Sequence, residues 1–246
     1  MNLKTPALLL LLAPACLAAA ETNGAANWPE PPVVEPKYDG TPVPPPAGAT
    51  VLFDGANVTL WKQLPNPKAK AAPAVAAGDD AVRWKVESGY LEVVPKTGMI
   101  CTRTPVLTSG HLHIEWATPA EVKGNGQGRG NSGVFIEGYP ELQVLDSFNN
   151  KTYFDGQAAA LYKVRPPLVN ACRGPGLWQC YDIDIRRAKV VNGKAAEPAT
   201  ITVRHNNVLV QDKVAIPNTL QAGTLKFQDH GNPVRYRNVW FMPSEK

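Results

Sequence analysis

From about residue 80 onward, apolar and polar side chains alternate with a period of two over a succession of short stretches. The clearest are Val82–Val86, Tyr90–Val94, His111–Trp116, Gly133–Glu137, Glu141–Asp146, Trp178–Arg186, Ala199–Val203, Val208–Val214, Leu225–Gln228 and Tyr236–Met242. Gly, Pro and Asn punctuate the gaps, as in Ser88-Gly89 and Asn206-Asn207. Alternation of this kind puts successive side chains on opposite faces of a strand, one face toward a core and one toward water. No amphipathic run long enough for a helix interrupts the series after the apolar N-terminus. Short strands separated by turn signals predict an all-β protein, an antiparallel β-sandwich or jelly roll.

The first residues follow a different pattern. Lys4 precedes an apolar run from Ala7 to Ala20, which ends on Ala18-Ala19-Ala20 before Glu21. A basic start, a short apolar stretch and small residues predict a signal peptide over residues 1–20. The stretch falls short of the ~20 residues needed to span a bilayer. Export to the periplasm or beyond is therefore expected. The alternative is a lipoprotein anchored at Cys16, which Pro14 two residues earlier fits poorly. Residues 21–47 are rich in proline, including Pro42-Val43-Pro44-Pro45-Pro46, and read as an extended N-terminal segment. The folded domain is expected over 48–246. A second break, Pro65 to Asp80, reads as a surface loop.

Composition narrows the class of partner. With Lys4 set aside from the 25 basic residues, 24 remain against 21 acidic ones, and no basic block stands out. Nothing points to nucleic acid or an anionic membrane, whereas a polar uncharged partner such as a sugar suits a nearly neutral surface. Beyond residue 20 the cysteines are Cys101, Cys172 and Cys180. Cys172 and Cys180 flank the turn Gly174-Pro175-Gly176, and export permits oxidation. A Cys172–Cys180 disulfide is the expectation, with two buried thiols as the alternative.

Three clusters carry candidate chemistry. In Glu141-Leu142-Gln143-Val144-Leu145-Asp146, alternation sends Leu142 and Val144 to the core and Glu141 and Gln143 outward, toward either a ligand or solvent. Sandwich glycosidases of the two-carboxylate type use paired acids; here Gln143 holds the second position and cannot ionise. Gln228 and His230 share a face ahead of the Gly231-Asn232-Pro233 turn, so His230 is either a general base or a turn-fixing residue. The Gly-rich segment Gly126 to Gly133 lacks the ending of a phosphate loop and offers Asn131 and Ser132 as hydroxyl binders. Lys163, Arg237 and Trp178 are further substrate-binding candidates, Trp178 by stacking on a sugar ring. Asn57-Val58-Thr59 and Asn150-Lys151-Thr152 match glycosylation triplets that also arise by chance. The histidines show no metal-ligand spacing.

Several ordered motifs resemble a known family. They are Val51-Leu52-Phe53-Asp54-Gly55, Leu112-His113-Ile114-Glu115-Trp116, Gly130-Asn131-Ser132-Gly133-Val134-Phe135, Glu141 to Ser147, Trp178 to Ile183 and Gln228 to Val234. In this order, over about residues 48–243, the chain resembles the 3-keto-disaccharide hydrolase family. The resemblance implies a jelly roll of the concanavalin A-like lectin/glucanase type. It also implies action on glycosides oxidised to a ketone at sugar carbon 3, in exported bacterial proteins. The chain departs from the family pattern at Cys172 and Cys180, where serine- or threonine-like residues are expected. A ketone at carbon 3 acidifies the proton on carbon 2, so a single base can start expulsion of the glycosidic oxygen. Glu141 or His230 is the candidate base, and Arg237, Lys163 and Gln143 are candidates to hold the oxyanion. No cofactor is firmly implied, although a divalent metal could do the polarising. The rival reading is a non-catalytic carbohydrate-binding module, since one fold hosts many functions.

Overall fold

The computed structural model describes residues 28–66 and 80–244. The expected signal peptide, Cys16 and most of the expected loop between Pro65 and Asp80 lie outside the described residues. Fifteen strands are present among them and no α-helix, only two single 3₁₀ turns at Gly126–Gly128 and Phe154–Gly156. Early strands are β1 (Thr50–Phe53), β2 (Trp61–Gln63), β3 (Lys85–Glu87), β4 (Tyr90–Glu92) and β5 (Ile100–Thr102). Then come β6 (Gly110–Ala117), β7 (Ser132–Ile136), β8 (Leu142–Val144) and β9 (Gln179–Arg186). The last are β10 (Lys189–Val191), β11 (Lys194–Glu197), β12 (Ala199–His205), β13 (Val208–Ile216), β14 (Leu225–Phe227) and β15 (Arg235–Pro243).

They form two antiparallel sheets and a small hairpin. An eight-stranded sheet runs β13-β12-β9-β6-β15-β4-β3, with β1 also pairing β15; a five-stranded sheet runs β2-β5-β14-β7-β8. The chain is thus the expected antiparallel sandwich. Each of the ten alternating stretches overlaps a strand, Val82–Val86 only at its last two residues, and the core contains inward residues of theirs, including Leu142 and Val144. The strands that alternation missed are β1, β2, β5, β10 and β11, none longer than four residues. So short a strand shows too few alternations to register as a period.

An aromatic ladder ties the sheets together. Trp61 of β2 stacks on Phe227 of β14 at 5.0 Å, and Phe227 stacks on Tyr236 of β15 at 4.1 Å and 5°. Tyr236 in turn stacks on Trp84 at 6.1 Å. Burying four such rings removes several hundred Å² of apolar surface from water and is a major share of the core's driving force.

The proline-rich segment is extended, as its composition predicts, and it is docked against the sandwich. Val34 N donates to Asn170 O, Lys37 N to Asn206 O, and Val43 N to the buried carboxylate of Glu115 at 2.9 Å. Arg237 Nη2 donates to Gly40 O, and Asn238 Nδ2 and Trp240 Nε1 both donate to Val43 O. Prolines keep this strap from forming sheet, so the outer face of β6 and β15 binds it mainly through side chains.

The expected disulfide is corrected: Cys101, Cys172 and Cys180 are all free and buried. The physical reason lies in the alternation along β9. Cys180 points outward with Asp182, its Sγ 3.7 Å from Asp182 Oδ2, whereas Cys172 turns into the core with its Sγ 3.9 Å from Leu145 O. The turn at 174–176 therefore joins two sulfurs that face different layers. Burial pushes the Cys172 thiol up to about 12, which makes it unreactive.

Candidate active site

The outer face of the five-stranded sheet is organised around Gly133. Its register partner is Gln143 on β8, and on the other side Gln228 N donates to Gly133 O at 3.0 Å. Asn131 lies two residues earlier on the same face of the strand. The missing side chain leaves a trough, and the carboxyl of Glu141 fills it. A Cβ on Gly133 would clash with Glu141 Oε1 and lie 2.9 Å from Cδ. Among the described residues no hydrogen bond reaches that carboxylate. Burial alone pushes the Glu141 carboxyl from 4.5 up to about 7, because charge is disfavoured where water is excluded and no donor replaces it.

A chain of amides borders the trough. Gln143 is only 1% exposed, covered by the Gly126–Gly128 turn. Its Nε2 donates to Gln127 Oε1 at 2.9 Å, and Asn131 Nδ2 donates to Gln127 O at 2.7 Å. Gln127 Nε2 donates to Thr152 Oγ1 and to Gly156 O. The turn itself is clamped by Asn150, whose Oδ1 accepts from Gly126 N and whose Nδ2 donates to Gly126 O and Asp146 O. The buried pair Arg129–Asp146, at 2.7 Å, closes its far end. With its amide so engaged, Asn150 serves the loop rather than a glycan. Beyond this end lies a cavity of about 200 Å³ lined by Pro119, Val122, Arg129, Asp146, Asn232 and Pro233.

Two tyrosines stand beside Glu141. Tyr162 N donates to Glu141 O at 2.8 Å, and the Tyr153 and Tyr162 hydroxyls share a hydrogen bond of 2.6 Å. The Tyr153 ring packs against Gly156, and Lys163 Nζ sits 3.3 Å above its centroid and 3.8 Å from Asp155. Burial is the main cause raising the Tyr153 hydroxyl, with Glu141 also contributing. Gln127, Tyr153 and Tyr162 were not singled out from the sequence, because they lie in irregular loops where no periodicity assigns a face.

The sequence-derived candidates divide between the two faces of the sandwich. Glu141, Gln143, Asn131 and Gln228 come together here, and Lys163 joins them through Tyr153. His230 is exposed in the loop two residues beyond Gln228. Ser132 faces the interior instead, with its hydroxyl donating to Gln228 O and bonded to Tyr236 OH. Arg237 and Trp178 lie on the opposite outer face. The Arg237 guanidinium stacks 4.1 Å over Trp178 and binds Glu115 at 2.6 Å. Arg237 is therefore committed to holding a buried carboxylate, and one face of Trp178 is already occupied. Gln143 cannot hold an oxyanion, because its unpaired atom is the acceptor Oε1.

A groove of about 1020 Å³ lies on the eight-stranded sheet and is lined by residues including His111, Asp184, Arg186, Thr202 and Lys213. It contains none of the candidate residues; its volume alone carries no chemistry. Near its edge His113 is wedged between Asp182 and Glu115, with ring nitrogens at 2.7 and 3.4 Å. Among the described residues no group of three or more His, Cys, Asp or Glu side chains is arranged to hold a metal ion.

The comparisons with known proteins agree with this carbohydrate reading. A crystal structure of a proposed glycosyl hydrolase from Parabacteroides distasonis is 32% identical, with a TM-score of 0.70, over 95% of this chain and 100% of that one. A second proposed glycosyl hydrolase from the same organism shares the fold at 20% identity and a TM-score of 0.56, over 80% of this chain and 94% of that one. No curated protein matches. The sequence model of the 3-keto-α-glucoside-1,2-lyase-like domain matches residues 48–242, nearly the whole folded part, and the chain belongs to that family.

Proposed function

We propose that the protein is an exported enzyme that cleaves glycosides carrying a ketone at sugar carbon 3, and that Glu141 is its base. The observation that carries the proposal is the carboxyl of Glu141, held over Gly133 and pushed up to about 7 by burial. A base with that affinity for protons is half ionised near neutral pH, where proton transfer from an acidified carbon is efficient. A two-carboxylate hydrolase would place a second acid on the same strand face, and Gln143 stands there.

In this scheme the carbon 2 proton passes to Glu141 as the C–H electron pair forms an enolate with the carbon 3 carbonyl. The enolate collapses to a carbon 1–carbon 2 double bond and expels the glycosidic oxygen from carbon 1. The departing oxygen takes a proton from the Tyr153–Tyr162 hydroxyl pair, which stands beside Glu141. Lys163, over Tyr153, is the cation available for the negative charge. Addition of water across the double bond makes the net reaction hydrolysis; without that addition it is a 1,2-elimination. His230, on the neighbouring loop, is the second candidate for moving a proton.

The test is turnover of a 3-keto-glucoside beside its unoxidised parent, with carbon 2 deuterated in a parallel sample. Cleavage of the keto substrate alone, slowed by deuterium, supports the scheme. Rapid cleavage of the parent overturns it, and binding without cleavage of either favours a carbohydrate-binding module.

A further inference from the structure

The hydrogen-bond directions around Glu141 leave two buried acceptors unpaired beside it. Amide orientation is usually ambiguous, but here backbone carbonyls fix it. Gly156 O can only accept, so the Gln127 group facing it at 2.8 Å is the NH₂, and Gln127 Oε1 faces the other way. That oxygen can only accept from Gln143, so Gln143 turns its NH₂ to it and leaves Oε1 unpaired. Asn131 is fixed in the same manner by Gln127 O and leaves Oδ1 unpaired. Gln228 Oε1 is a further buried oxygen with no partner. Two amide oxygens of fixed direction, on Gln143 and Asn131, thus lie beside Gly133 and the Glu141 carboxylate without a donor. Buried acceptors left unpaired are costly, so they form a floor that selects a ligand bringing donors.

We infer that this floor recognises the hydroxyl groups of the sugar ring, with Gln143 and Asn131 accepting from neighbouring hydroxyls. Gln127 is the positioning residue that sets their polarity. The inference rests on the reading of this face as the 3-keto-glycoside site, and it makes recognition depend on substrate hydroxyls rather than on charge. Loss of the Gln127 side chain frees the Gln143 amide to rotate while the backbone carbonyl of residue 127 still holds Asn131, so it weakens binding without altering the proton affinity of Glu141.

The experiment compares wild type, Gln127→Leu and Gln127→Glu on a 3-keto-glucoside and its 4-deoxy and 6-deoxy counterparts, after thermal melts establish that each variant folds. Gln127→Glu keeps an acceptor for Gln143 and Asn131. The expected result is a KM raised about tenfold in Gln127→Leu, in line with the loss of one to two hydrogen bonds. Gln127→Glu recovers most of that loss, and the pH dependence of kcat is unchanged in Gln127→Leu, which adds no charge. One of the deoxy substrates should lose affinity in wild type and lose none further in Gln127→Leu. Equal KM values in wild type and Gln127→Leu overturn the inference, as does a shifted pH profile in Gln127→Leu. It is also overturned if cleavage is abolished by a chelator and restored by Ca²⁺, since a cation would then hold the acceptors. If wild type cleaves no 3-keto-glucoside, the proposed function fails by itself. The floor is then read by calorimetric titration with methyl α-glucoside, where weaker binding in Gln127→Leu than in Gln127→Glu supports it and no binding to wild type overturns it.

Discussion

Gly133 and Glu141 occupy one volume between them: the carboxyl lies where the side chain of residue 133 would be. Gly133 has ordinary extended backbone geometry, so its glycine is required by space rather than by φ. Gly133→Ala should leave the strand intact and push the Glu141 carboxyl off the sheet. A misplacement of about 1 Å at a reacting group costs ~10²-fold in rate. The expected outcome is a kcat/KM lowered by ~10²-fold with a melting temperature close to that of wild type. Unchanged turnover would dissociate the trough from catalysis.

Removing the carboxylate itself tests the base directly. Glu141→Gln should lower turnover by ~10²–10⁴, the range for losing a general base. In wild type, kcat/KM should rise with pH to a plateau above about 7, because the ionised form is active. Steady-state rates between pH 5 and 9 check both points.

The same shift has a consequence for stability. The folded Glu141 carboxyl holds its proton up to about 7 while the unfolded one releases it near 4.5. The folded state therefore binds more protons between those values, and stability falls as pH rises through that window and then levels off. At 1.36 kcal/mol per unit the upper bound is about 3 kcal/mol. Glu141→Gln should be more stable than wild type at pH 8 and gain least at pH 4, as read by urea unfolding.

Arg237 should matter for folding rather than for catalysis. It holds the fully buried Glu115, which also accepts from Val43 N of the strap and from Asn238. Taking away one partner of a buried ion pair costs about 3–5 kcal/mol. Arg237→Ala should lower stability by that order, loosen residues 37–46 to proteolysis, and leave the turnover of the folded fraction nearly unchanged. A selective loss of turnover with full stability would return Arg237 to the active site.

Thiol titration of the denatured, unreduced chain starting at Glu21 should count three free thiols, because Cys172 and Cys180 face different layers. A count of one would mean that the bridge forms after all.

The sequence by itself determined the layer architecture and part of the site. Period-two alternation places Leu142 and Val144 inside and Glu141 and Gln143 outside, since a strand offers only two directions. The motif order from Val51 to Val234 carried the family. What lay beyond the pattern was which outer face each polar residue joins. Arg237 and Glu141 both point outward from their strands, yet those strands belong to different sheets, and only the tertiary pairing sends them to opposite sides of the sandwich. Ser132 and Cys172 turned inward for the same kind of reason: each sits at a strand end or in a loop, where alternation stops assigning a face. The depth of Gln143, the polarity that Gln127 imposes on it and the proton affinity of Glu141 depend on loops folding back over the sheet. Desolvation and hydrogen-bond direction arise from groups distant in sequence, so they exist only once the chain has folded.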